Sequence, residues 1–205
     1  MLLGPGVAAA AAVAAGGGLA SCAGIGGIGG AGGDAAMVFE STASPAVFAV
    51  RPVEAVYRPV DRNTADLYFT DIPGVGAPGS SGLGLTGSVV HVHLFLTPKA
   101  GSTPIDFTAS NMTVTHVLLA DGAFGVYSGA GFLLPNAPPG GRSLGGRVED
   151  ATLRPGGRAP GFAERLGWNE LSGRLSATRD ERRSAQLAAW LDAVLDDPRL
   201  GTPDP

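Results

Sequence analysis

With 33 glycines and 16 prolines among its 205 residues, this chain is interrupted so often that its composition favours many turns and short strands over long helices. From Met37 onward, apolar or alternating runs are separated by Pro, Gly, Asn and Asp clusters, the pattern of successive strands. The runs are 37–42, 47–58, 66–70, 85–97, 111–119, 123–134, 147–153 and 171–177. About eight short strands predict a mainly β fold, a β-sandwich or an open barrel. Pro52 inside the second run implies an edge strand or two shorter strands, because proline has no amide to donate to a ladder. The Gly-rich stretch 71–84 and the Pro/Gly-rich stretch 135–146 read as surface loops.

One helix is expected, near 179–196. Thr178 followed by Glu181 has the spacing of a capping box. Leu187, Trp190, Leu191, Val194 and Leu195 then recur at helical spacing, with Arg182, Arg183, Gln186, Asp192 and Asp196 free to face water. Such a helix packs against the sheet, or it docks on a partner if its apolar face is left exposed. In the second case the chain is an accessory subunit of an envelope complex.

The N-terminus has a different character. Residues 2–21 are apolar and carry no charged side chain, and they end at Cys22, the single cysteine of the chain. Glycines near both ends leave 7–15 as the uninterrupted stretch. That is the length of a signal-peptide core, whereas a membrane span needs about 20 residues. Leu19-Ala20-Ser21-Cys22 resembles the lipobox of bacterial lipoproteins, an aliphatic residue and two small residues before a cysteine. The resemblance covers these four residues and the apolar run before them. It implies cleavage before Cys22 and attachment of lipid to its thiol. Two or three acyl chains, at about 0.8 kcal/mol per buried methylene, make a stable membrane anchor where one is marginal. Signal peptides normally begin with Lys or Arg, whereas here only the amino group of Met1 supplies positive charge; the true start lies upstream or the signal is atypical.

The resulting domain plan is a signal peptide at 1–21, a Gly-rich flexible tether at 22–36, a β-rich domain at 37–197 that ends in the helix, and a disordered tail at 198–205. The expected location is the bacterial cell envelope, exposed to the periplasm or the cell surface. Ala23 after the cysteine points to the outer membrane if the cell has two membranes.

Net charge is −4, with eight acids against four bases over 34–141 and ten of each over 142–205. No basic footprint exists, so nucleic acid is not an expected partner. The expected partners are the membrane, through the lipid, and an envelope protein.

All three histidines lie in two neighbouring predicted strands, His91 and His93 in the run 85–97 and His116 in 111–119. His91 and His93 share a face because side chains alternate along a strand. If 98–110 connects an antiparallel hairpin, the register symmetric about that loop sets His93 opposite His116. All three imidazoles would then share a face as ligands of an open zinc site, which would make the protein a metal binder or metalloenzyme. The plainer alternative is three ordinary strand histidines. Asp106, Asp121, Glu149 and Asp150 show no acid/base spacing, and Tyr127-Ser128-Gly129-Ala130-Gly131-Phe132 reads as a bulged or closely packed strand rather than a nucleophile turn. No P-loop, dinucleotide fingerprint, H-E-x-x-H or G-x-S-x-G is present. No catalytic residue and no cofactor are therefore expected, and the leading reading is a non-enzymatic binding or structural domain of unknown ligand.

Overall fold

The structure is a computed structural model that describes residues 35–77, 84–98 and 110–201. The predicted signal peptide, Cys22 and the tether up to residue 34 lie outside the described residues, as do 99–109 and 202–205. The described residues begin at Ala35, which is already buried, two residues before the predicted domain boundary.

The described residues form nine strands: β1 (Ala36–Ser41), β2 (Val47–Val50), β3 (Glu54–Pro59), β4 (Ala65–Thr70), β5 (Gly87–Leu94), β6 (Met112–Ala120), β7 (Ala123–Pro135), β8 (Ser143–Arg158) and β9 (Asn169–Arg179). One helix, α1 (Glu181–Leu195), comes last. The fold is mainly β with a single C-terminal helix, as its sequence predicts. The run around Pro52 resolves into two strands, β2 and β3. Strand β8 is longer than its apolar core suggests, because Arg, Gly and Thr alternate with its buried residues.

From β3 to β9 each strand pairs antiparallel with the next, and β9 then pairs parallel with β3 through Val56↔Thr178 and Tyr57↔Arg179. The sheet therefore closes on itself, which neither a two-sheet sandwich nor an open barrel does. The β1–β2 hairpin extends the sheet along the N-terminal half of β9. Closure removes the exposed edges of the β3–β9 strands and leaves β2 as an edge. The β6–β7 turn is Asp121-Gly122, with φ of 52° and 79°. Positive φ at both central residues matches the right-handed twist of the flanking strands, and Asp-Gly is the sequence that tolerates it.

Two apolar clusters lie on opposite faces of the sheet. The inner one takes residues from all nine strands, among them Met37, Phe39, Tyr57, Leu67, Val92 and Leu153. It fills the barrel, so the interior is a packed core. The outer one joins Val56, Tyr68, Val89 and Val117 to Leu187, Trp190 and Leu191 of α1. Burying each of those three helix side chains is worth about 1.5–3 kcal/mol relative to exposure. That outweighs what an isolated helix of this length could supply.

Helix α1 starts two residues later than the capping-box reading implies. Thr178 is still in β9, paired with Val56, and the N-cap is Asp180, whose Oδ1 accepts from the Arg183 amide at 2.8 Å. Arg183 then clamps the helix to β3 by donating to both carboxylate oxygens of Glu54, and it also donates to the Val75 carbonyl at 2.7 Å. Asp180→Ala is expected to cost about 1 kcal/mol, read as a lower urea midpoint with an unchanged m-value. Beyond α1, residues 198–201 do not form the predicted loose tail. Gly201 and Arg158 exchange backbone hydrogen bonds of 3.1 and 3.3 Å, and Leu200 packs into the outer cluster.

Candidate functional site

The three histidines do not converge. In the β5–β6 ladder His116 stands opposite Val90, and His93 stands opposite Thr113. The register is displaced by three residues from the loop-symmetric one. An odd displacement moves every side chain of a strand to the other face. His116 accordingly points into the barrel, in phase with buried Met112 and Val114, while His91 and His93 point outward. A zinc site made of His91, His93 and His116 is thus excluded by the sheet between them.

His116 is fully buried and stacks on Phe39, with ring centroids 4.1 Å apart. Its Nε2 lies 2.5 Å from Ser88 Oγ, and its Nδ1 has no hydrogen-bond partner. A proton on Nε2 donated to Ser88 leaves only a lone pair unmatched at Nδ1, the less costly arrangement. Burial drives the imidazole pKa down to about 3, so it is neutral in the folded protein. Ser88 and His116 have the contact of a nucleophile and its base, but both have zero exposure. No substrate reaches them there, and the pair is part of the core.

The outward histidines meet a partner that the sequence reading did not single out. In the β4–β5 ladder Asp66 is directly opposite His93, and Tyr68 is opposite His91. Asp66 Oδ1 accepts from His93 Nδ1 at 2.8 Å and from His91 Nε2 at 3.1 Å. Arg58, opposite Asp66 on β3, holds the other oxygen with Nε and a terminal nitrogen, both at 3.0 Å. The Tyr68 ring stacks on His91, with centroids 4.6 Å apart and planes 11° from parallel. Three side chains from β3 and β5 thus converge on one nearly buried carboxylate of the strand between them, and Tyr68 braces one of the three.

The electrostatics follow from this packing. Burial alone would raise the Asp66 pKa, but hydrogen bonds from His91 and His93, electrostatic attraction to His91 and a hydrogen bond from Arg58 outweigh it and hold the carboxyl well below the usual range. Tyr68 is pushed up to about 12 by burial and by the negative charges of Asp66 and of Asp192 on α1. The carboxylate stays ionised and the phenol protonated throughout the physiological range. In the conformation seen, no group of three or more His, Cys, Asp or Glu among the described residues is arranged to hold a metal ion.

The other sequence candidates separate. Asp121 sits in the β6–β7 turn and Glu149 pairs with Phe132 towards the far end of β7, so those carboxylates do not meet; Asp106 lies outside the described residues. The glycines around Ser128 are explained by close packing: the β7–β8 register shifts between Ala130 and Phe132, and a Cβ at Gly129 or Gly131 would strike the backbone of β8. Leu187, Trp190 and Leu191 are buried within the chain's own fold and only Leu195 of the predicted apolar stripe is exposed, so most of the face that the docking-subunit reading requires is already covered. Among the described residues no helix is long and apolar enough to cross a membrane.

Compared with family profiles, with curated proteins and with solved structures, the chain finds no match.

Proposed function

We propose that this chain is a bacterial envelope lipoprotein, cleaved before Cys22, anchored through lipid on that thiol, and displaying a non-enzymatic β-barrel domain. The observation that carries the reading is Leu19-Ala20-Ser21-Cys22 at the end of an apolar run, with the chain's single cysteine at the position that receives lipid. In an oxidising compartment a lone thiol is a liability unless it is chemically occupied, and lipidation occupies it. The Gly-rich segment that follows has few side chains to bury, and it separates the anchor from a domain that begins at Ala35.

The barrel supports a binding or structural role for that domain. Its interior is filled by side chains from all nine strands, so recognition falls to the outer surface, where the Asp66 cluster is the most organised polar feature. The anchor is tested by feeding cells an alkyne-tagged fatty acid. The wild-type chain is expected to carry label and to enter the detergent phase, while Cys22→Ser is unlabelled. A wild-type chain without label that stays in the aqueous phase overturns the reading.

A further inference from the structure

We propose that His91, His93 and Asp66 form a surface site for one divalent transition-metal ion of the zinc, copper or nickel class. The proposal is independent of the lipid anchor. Residues two apart on a strand project from the same face, and His91 and His93 have ring centroids 6.5 Å apart. One nitrogen of each ring faces the same oxygen, Asp66 Oδ1, at 3.1 and 2.8 Å. Ligand atoms bound to one ion at 2.0–2.1 Å lie about 2.8–3.4 Å from one another across octahedral and tetrahedral shells. The nitrogen-to-oxygen spacings are therefore already near those of a ligand shell, and the donors need to turn rather than travel.

In the conformation seen, two N–H protons occupy the place an ion would take. Metal entry needs each ring to carry its N–H on the nitrogen that faces away from Asp66, the proton exchanging through solvent, so that a lone pair is freed on the nitrogen beside Oδ1. In each ring one N–H bond breaks and one forms, so the exchange itself loses no net proton. Arg58 occupies only Oδ2, with two contacts of 3.0 Å. It fixes the carboxylate orientation and leaves Oδ1 to bind through one oxygen, as the outer partners of a metal site do. The side chains of His93 and His91 are 37% and 19% exposed, so the ion can enter from solvent and keep water in its remaining positions. Two imidazoles with one carboxylate select imidazole-preferring metals over calcium or magnesium, which take oxygen ligands.

The test is calorimetric titration of zinc chloride into the full chain carrying Cys22→Ser, which removes the only thiol. One ion per chain is expected, with His91→Ala and His93→Ala each weakening binding by at least about tenfold. Copper(II) bound at the same site is expected to show nitrogen couplings in its electron paramagnetic resonance spectrum that diminish in either variant. His93→Gln, which keeps the bulk and a hydrogen bond to Asp66, replaces the alanine variant if that one fails to fold. Absence of saturable zinc binding in the micromolar range overturns the proposal, as does binding that survives loss of both histidines.

Discussion

Lowering the pH from 7 to 5 is expected to remove about 2 kcal/mol of folding stability through His116 alone. The imidazole is neutral in the fold, with its pKa driven from 6.5 down to about 3 by burial. In the unfolded chain it titrates near 6.5, so between 6.5 and 3 the unfolded state binds a proton that the folded state does not. Stability then falls as pH falls, by up to about 1.4 kcal/mol per pH unit, and the group contributes no slope above 6.5 or below 3. His116 is fully buried against Phe39 and has only Ser88 at its polar edge, so solvent does not screen the effect. Urea unfolding at a series of pH values measures it. His116→Gln is expected to be less stable at pH 7 but to lose this part of the acid dependence. A variant whose stability falls between pH 7 and 5 as steeply as the wild type would assign the slope to other groups. Asp66 acts in a separate window. Its folded pKa is depressed, so its contribution is present above the ordinary carboxylate range and is lost only as pH falls through its lowered value.

His116 also shows why the fold was more legible than the site. Strand positions are written in local alternation, and the sequence carries them well: Val90, Val92 and Leu94 mark a core face, and His91 and His93 fall on the other. The same rule applied within β6 places His116 with Met112 and Val114, away from Thr113 and Thr115. A register symmetric about the 98–110 connection contradicts that local signal, and register depends on where pairing starts on each side of a long connection. A three-residue error there is small along the chain, but because it is odd it reverses the face. Pairing across β4–β5 hides Asp66 for the same reason. Nothing local in the run 66–70 says that its aspartate will sit opposite His93. The closure of the sheet was illegible too, since it rests on two residue pairs between strands more than a hundred positions apart. The Asp-Gly turn and the strand break at Pro52 were readable because each is decided by the backbone chemistry of one or two residues.

Gly129→Ala is expected to cost about 3 kcal/mol or more and to lower the melting temperature by roughly 10 °C. The position lies inside β7, where the strand pairs with β8 through a register shift, and a Cβ there would stand 1.9 Å from the Thr152 carbonyl oxygen and 2.8 Å from the Leu153 Cα. Both are backbone atoms. No rotamer change relieves the contact, and the two strands must part by about 1.5 Å to restore ordinary van der Waals distance. Parting them pulls at the ladder on one side and at the inner core on the other, where Ala151 and Leu153 are buried with zero exposure. Gly131 repeats the situation against Ala151 at 2.4 Å, so the two glycines together set how closely β7 and β8 approach. Gly141→Ala is the control. That residue is exposed in the β7–β8 loop, and an added Cβ would meet only the Ser143 carbonyl at 3.5 Å, so its cost is expected to stay within about 0.5 kcal/mol. Thermal unfolding of the two variants side by side decides the matter: equal melting temperatures would mean that β8 yields freely at this contact and that these glycines do not hold the strands together.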